Sequence, residues 1–299
     1  MTTRLPVLRE PPPTLFKDNT ILPTGKYHIS YSEVNTAMGD DGCGWKHKLK
    51  YVDGHEEPDN EHTTYGRTVH STLQDWLLEG NSVWFDLDEQ IGLCQEEVKK
   101  CFKEVGFDPG PTALEKDWIK PVETMLSMVP AWMDNTFPGW EPVAAEIYLF
   151  EPIQGQTNKW FKGFIDAVIR VPKVARKGSK KEVSGWIYWV LDWKTTSWGW
   201  DARKKQDKFK RMQLALYKHY LSIKLDIPLE DIRCGFALLK RTAKNNDHLE
   251  LIEVSIGDKT REEAVNLVSQ CVSLIAKKYW MKNRNSCRWC PFRSTPLCP

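Results

Sequence analysis

The sequence predicts an α/β protein, a sandwich with a mixed central sheet flanked by helices. Three observations carry that expectation. The runs "PVAAEIYLFEPI", "WFKGFIDAVIRV" and "GWIYWVLDWKTT" are apolar, aromatic and β-branched, and read as three consecutive strands. Helical spacing precedes them and a long helical run follows. Two more strand-like runs come after that helix, "IRCGFALLKRT" and "HLELIEVSI". Helix, three strands, helix, strand is the order of a layered α/β sandwich. No internal repeat interrupts it.

Bulk properties narrow the class. A chain of 299 residues suffices for one large domain or two small ones. Hydrophobic residues make up 41% and charged residues 27%, an ordinary globular balance. No apolar stretch approaches the roughly 20 residues that span a bilayer. The opening "MTTRLPVLREPPPTLF" lacks the apolar core of a signal peptide. A soluble, cytoplasmic protein is expected, with no membrane partner. Net charge is +2, so there is no global basic field, and a nucleic-acid partner would have to meet local charge.

The elements follow in order. Residues 1–27 are Pro-rich and read as an irregular arm, leaving 28–299 as a single domain. "HISYSEVNTAMGDDGCGWKHKLKYV" holds a short element, a helix that Ser32 could cap, and a Gly-rich break carrying Cys43. In "TYGRTVHSTLQDWLLEG", Val69, Leu73, Trp76 and Leu77 have helical spacing and Gly80 is a stop. Residues 89–135 read as mostly helical with a break at "GFDPGPT", so 66–135 forms a helical part. A basic loop, Lys173–Lys181, joins the second and third strands. One long helix is expected over Arg203–Leu225 and a last one over Lys259–Met281. Of fourteen tryptophans, Trp186, Trp189 and Trp193 fall in strands. Trp198, Trp200 and Trp289 fall in apparent loops, where they can pack irregular segments or stack on bases.

The third strand ends in "LDWKTTS". Side chains alternate along a strand, so Asp192 and Lys194 point the same way. Burying charge is costly unless it is paired or binds a metal. Asp166 interrupts the second strand in the same manner, in "GFIDAV". If the two strands pair, both carboxylates meet at one end of the sheet. Close buried carboxylates repel unless a cation intervenes, and Mg²⁺ favours oxygen ligands. Lys194 could orient or deprotonate an attacking water, or stabilise a developing oxyanion. That combination suits phosphodiester hydrolysis. The structural alternative is an Asp–Lys ion pair at a strand end.

Eight cysteines in an intracellular chain argue against a disulfide framework. Cys94, Cys101, Cys234 and Cys271 read as small core residues. Cys287, Cys290 and Cys298 instead crowd a Pro-containing tail, "SCRWCPFRSTPLCP", that cannot form a core. A tetrahedral or cluster site needs a fourth ligand, and Cys43 is the best candidate.

Taken together, "GFIDAV…LDWKTTS…QLALY" resembles the core signature of PD-(D/E)xK nucleases, in particular the RecB-type branch. The resemblance implies a restriction-endonuclease-like core. It implies Asp166 and Asp192 as ligands of Mg²⁺ or Mn²⁺, Lys194 as the catalytic lysine, and Gln213 and Tyr217 as a QxxxY pair on one helix face holding substrate. His70, in "GRTVHSTLQ", matches the family's upstream metal-binding histidine. Glu146, in "AAEIYLF", is a further acid that could support the metal. One cysteine before the core and three after it is similar to the iron–sulfur members: AddB-type domains, the exonuclease V type and CRISPR-associated single-strand exonucleases. That likeness implies a [4Fe–4S] cluster on Cys43, Cys287, Cys290 and Cys298, joining 28–52 to 282–299, with Zn²⁺ as the competing occupant.

The implied activity is a metal-dependent DNA exonuclease that prefers single strands. Trp198, Trp200, Lys204, Lys205, Lys208 and Arg211 would contact DNA. No Walker A motif is present, so the chain would stand alone or borrow a helicase or recombination partner. Three alternatives stand beside this: a flap or junction endonuclease on the same fold, a non-catalytic DNA-binding subunit stabilised by the cluster, and a redox protein.

Overall fold

A computed structural model describes residues 21–80, 82–177, 180–244 and 247–298, without the side chains of 175–181 and Trp289. Most of the expected arm, the tip of the basic loop and the Trp289 side chain therefore lie outside the described residues.

The chain opens with strand β1 (His28–Ser30) and helix α1 (Tyr31–Met38). Ser30, not Ser32, caps α1, because its hydroxyl accepts from the Glu33 N–H. Helix α2 (Gly44–His47) runs into one π turn, Lys48–Val52. Then come α3 (Glu61–Glu79), α4 (Leu87–Glu104), α5 (Pro111–Leu114) and α6 (Lys120–Thr136). An Asn60–Thr63 capping box starts α3. Strands β2 (Glu141–Pro152), β3 (Trp160–Lys177) and β4 (Lys180–Thr196) follow. Next are α7 (Ala202–Lys205), α8 (Lys208–Leu225), β5 (Ile232–Lys240), β6 (Leu249–Glu253) and α9 (Asp258–Ala276).

Three boundaries differ from the sequence expectation, each for a local reason. The basic loop is largely strand: β3 and β4 stay paired down to Lys177 opposite Lys180. The long helix divides because Asp201 caps α7 and Asp207 caps α8. The last helix stops at Ala276, and Lys278 takes a left-handed φ of 56° that turns the chain out.

The sheet is mixed, in the order β1-β3-β4-β5-β6, with β2 also on β3. Strand β2 runs antiparallel along one edge of β3 from residue 160 to 170. The other edge is shared. β1 lies parallel on residues 160–162, and β4 lies antiparallel from Ala167 onward. Between them β3 has no ladder partner on that edge. β4 meanwhile pairs parallel with β5 as far as Thr196. A fork therefore opens in the sheet beside Asp166.

Each face of the sheet has its own core. Trp189, Leu191 and Trp193 pack with α3, α4 and α6, while Val190 packs with α8 and α9. Alternation along β4 thus sends Asp192 to the α8 side, as period-two geometry requires.

The segment around α2 is sewn to the C-terminal tail. The Trp45 N–H donates to the Met281 carbonyl, and the Trp45 indole to the Leu297 carbonyl. Beside this seam His47 is fully buried, stacked on Trp280, and neither ring nitrogen finds a partner among the described residues. Burial, then the nearby Lys26, lowers its pKa to about 4. A group with a depressed folded pKa resists protonation only when folded. Its stability is full above the unfolded value of about 6.5 and is lost as pH falls toward 4. The expected loss approaches about 3 kcal/mol. Thermal melts of wild type and His47→Phe should diverge as pH drops from 7.5 to 5, with the wild type losing more. Parallel curves would refute it.

Candidate active site

The site is built at the fork. The last paired position of β3 and β4 is Ala167 opposite Leu191, so Asp166 and Asp192 are the next residues in register. Here the strands part, and the Asp166 carboxylate accepts from the Trp193 N–H at 2.8 Å. Across β2, Ala145–Ala167 and Ile147–Ile165 bracket Glu146 opposite Asp166. Three acids therefore stand in one row across three strands. Glu146 has a φ of 48°, a left-handed conformation unusual for a non-glycine in a strand. Such strain persists only where the surroundings enforce it, and it gathers at functional sites.

Asp192 is 2% exposed. One carboxylate oxygen accepts from Gln213 Nε2 at 3.0 Å, and the other pairs with the Lys194 ammonium. Gln213 also donates to the Tyr217 hydroxyl at 3.2 Å. Tyr217, Gln213 and Asp192 thus form one chain of contacts, the i,i+4 pair on α8 facing the acid. His70, on α3, brings Nδ1 to 3.8 Å from Asp166.

Electrostatics follow from burial. Burial raises both carboxylates to about 6, although Lys194 pulls each back down. The Lys194 ammonium feels the reverse. Burial would lower it, but Asp192 and Asp166 hold it raised. Burial, then Lys194, lowers His70 to about 4, so the imidazole is neutral near pH 7.

A cleft of about 390 Å³ leads to this group. Tyr31, Asn35, Asp40, Asp41 and Lys46 line one wall; Lys194, Asp207, Lys210 and Gln213 line the other. The Tyr31 hydroxyl donates to the Phe209 carbonyl, bridging α1 to α8. Neither Tyr31 nor Lys46 was marked by the sequence, since only folding brings α1 and α2 opposite β4.

The expected DNA contacts divide. Trp198 is 66% exposed. Trp200 is a correction: it is 6% exposed and packs on Phe236, with the Lys204 and Lys210 ammonium groups over its ring. A loop residue of that size is held in the core, so it cannot stack on a base. Lys205 pairs with Glu250, Lys208 with Glu263, and Arg211 donates to the Ser255 carbonyl. Within the basic run, Lys210 lines the cleft together with Asp207, its ion-pair partner at 2.7 Å, and Phe209.

Cys43, Cys287, Cys290 and Cys298 line one cavity. Cys43 Sγ accepts from the Asn283 N–H at 3.3 Å. As the side chains stand, no group of three or more His, Cys, Asp or Glu among the described residues is arranged to hold a metal ion. The donor chemistry nevertheless fits both expected groups. A buried and a half-buried carboxylate whose charge is costly, beside a neutral imidazole, are hard-cation donors. Four cysteines around one cavity, none of them in a disulfide, are soft donors.

Residues 28–299 match the family model described as the PD-(D/E)XK nuclease superfamily. The chain belongs to the PD-(D/E)XK nuclease superfamily. Among solved structures, this nuclease chain resembles a "Putative exonuclease" from Eubacterium rectale, with a TM-score of 0.54 and 12% identity. The match covers 91% of this chain and 90% of the other, and it concerns the fold. A search of curated proteins finds no match.

Close packing fixes how the nuclease's α3 meets β4. A Cβ on Gly66 would lie 3.0 Å from Thr195 Oγ1. Gly66 is one turn before His70 on the same face. Alanine there should favour the helix by up to about 1 kcal/mol yet push His70 off Asp166. Gly66→Ala is expected to keep or raise the melting temperature while cutting DNA cleavage roughly tenfold, within the cost range of a small misplacement. Unchanged cleavage would show that this packing does not set the site.

Proposed function

We propose that the protein is a metal-dependent deoxyribonuclease that hydrolyses phosphodiester bonds from DNA ends, preferring single strands. The observation that carries this reading is the Asp166–Asp192–Lys194 group at the fork, with Asp192 buried, Asp166 and Lys194 half-buried, and an open cleft reaching it. Asp166, Asp192 and His70 would hold Mg²⁺ or Mn²⁺, with Glu146 adjacent. The metal would supply charge neutralisation at the scissile phosphate and ease deprotonation of water.

The chain's own residues divide the remaining work. Lys194 is 32% exposed and its ammonium borders the cleft, so it meets a phosphate oxygen as negative charge develops there. Gln213 is a positioning residue: its amide fixes one oxygen of Asp192, and Tyr217 fixes the amide. His70 stays neutral and offers a lone pair. Trp198, exposed two residues past the end of β4, is suited to stack on an unpaired base, which supports the single-strand preference. The four cysteines would hold a [4Fe–4S] cluster, Zn²⁺ being the other occupant their chemistry allows.

Protein purified without air, mixed with end-labelled linear single- and double-stranded DNA and closed circles under Mg²⁺, Mn²⁺ or EDTA, tests this. Metal-dependent shortening of linear single strands is the expected result. Nicked circles would move the reading to an endonuclease, and tight binding without cleavage to a binding subunit.

A further inference from the structure

The chain's charge is unevenly spread. Net charge is +2, yet residues 264–299 contain six Lys and Arg and no Asp or Glu. The preceding residues therefore carry 36 basic and 40 acidic side chains, a net of −4. The excess of positive charge in the sequence is therefore carried by the C-terminal segment.

That segment also forms a cavity. An open cavity of about 400 Å³ is bordered by Arg284, Arg288 and Arg293 with Asn285 and Ser294, and by Cys287 and Cys298 on the side of the cysteine group; all three arginines are exposed. Guanidinium groups recognise phosphate through paired N–H donors, and serine and asparagine add neutral donors. The cavity is not isolated. Arg284 and Arg293 also line the cysteine cavity, where Lys46 and Lys282 join them. Lys46, paired with Glu57 at 3.0 Å, in turn lines the cleft that holds Lys194 and Gln213, together with Asp40, Asp41 and Asp207. The arginine cavity, the cysteine cavity and the cleft are therefore contiguous, through Arg284 and Arg293 and then Lys46.

We infer that the arginine-lined cavity binds phosphates of the DNA strand whose scissile bond lies at Lys194, outside the catalytic group itself. This rests on the nuclease reading. It gives the cysteine-rich segment a substrate-holding role besides joining the two ends of the domain. The ligand chemistry is a phosphate, either an internal diester or a terminal monoester.

The test uses the full chain carrying Arg284→Ala with Arg293→Ala, and the matching Arg→Lys pair. Fluorescent single strands, one long and one too short to extend beyond the cleft, are titrated in EDTA over a range of KCl. The long strand should bind the alanine variant roughly tenfold more weakly, with a log–log salt slope shallower by about 0.7 per lost contact. The short strand should bind as to wild type, and the lysine pair should restore most of the slope. Strands with 5′-phosphate, 3′-phosphate or hydroxyl ends separate the sources: equal losses indicate internal diesters, and a loss confined to one phosphorylated end indicates a terminal monoester. Unchanged long-strand binding, or equal loss on short and long strands, overturns the inference. Wild-type binding without any cleavage would instead refute the nuclease reading and leave the phosphate site standing. Melting temperature and metal content of each variant guard against misfolding. If the double variant does not fold, Arg293→Gln alone is read the same way.

Discussion

Lys194→Ala is expected to lower metal-dependent cleavage of linear DNA by about 10²–10³-fold, the usual cost of losing one preorganised charge donor. Two effects combine. The scissile phosphate loses its cation in the cleft, and Asp192 loses the partner of its buried oxygen. Removing one member of a fully buried ion pair costs about 3–5 kcal/mol when the other charge stays unpaired, and the cost here is smaller because Lys194 is 32% exposed and screened by solvent. The variant should therefore melt lower in EDTA and recover part of that loss with Mg²⁺. Asp192→Asn, which keeps the shape and removes the charge, should abolish cleavage without the same metal-dependent recovery. Cleavage that survives Lys194→Ala would reduce the pair to a structural ion pair.

Cys290→Ser is expected to have the second largest effect, on stability. A centre joining Cys43 to Cys287 closes 244 positions of chain (287 − 43). Crosslinking so long a loop removes about 5 kcal/mol of unfolded-state entropy by the chain-closure relation for disulfides. If the four cysteines hold the proposed centre, losing one ligand should empty the site, remove visible absorbance where the centre is iron–sulfur, and free the seam between α2 and the tail. Melting temperature, iron and zinc content and limited proteolysis report it. A variant that keeps its metal and its melting temperature would show that backbone contacts such as Trp45 to Met281 hold the seam alone.

These expectations draw on different depths of the sequence. The strands, the helix bearing Gln213 and Tyr217 and the buried acids were legible because each depends on a local period. Apolar runs set β2 to β5, two-residue alternation put Asp192 and Lys194 on one side, and four-residue spacing paired Gln213 with Tyr217. Helix ends were less legible. Ser30 and Ser32 are equally good caps on paper, and only the chain's entry from β1 selects Ser30.

The sequence by itself therefore determined the α/β class, the acids that interrupt its strands and the lysine on the same side of β4 as Asp192. Tertiary structure decided what those residues meet. It opened the fork, because β1 and β4 divide one edge of β3. It turned Gln213 toward Asp192, buried Trp200 against Phe236, and gave Lys205, Lys208 and Arg211 partners within the chain. It also placed Lys46 and the C-terminal arginines along contiguous cavities. The physical reason is range. Periodicity reports a residue's own element, whereas charge pairing and burial depend on side chains that folding brings from distant parts of the chain.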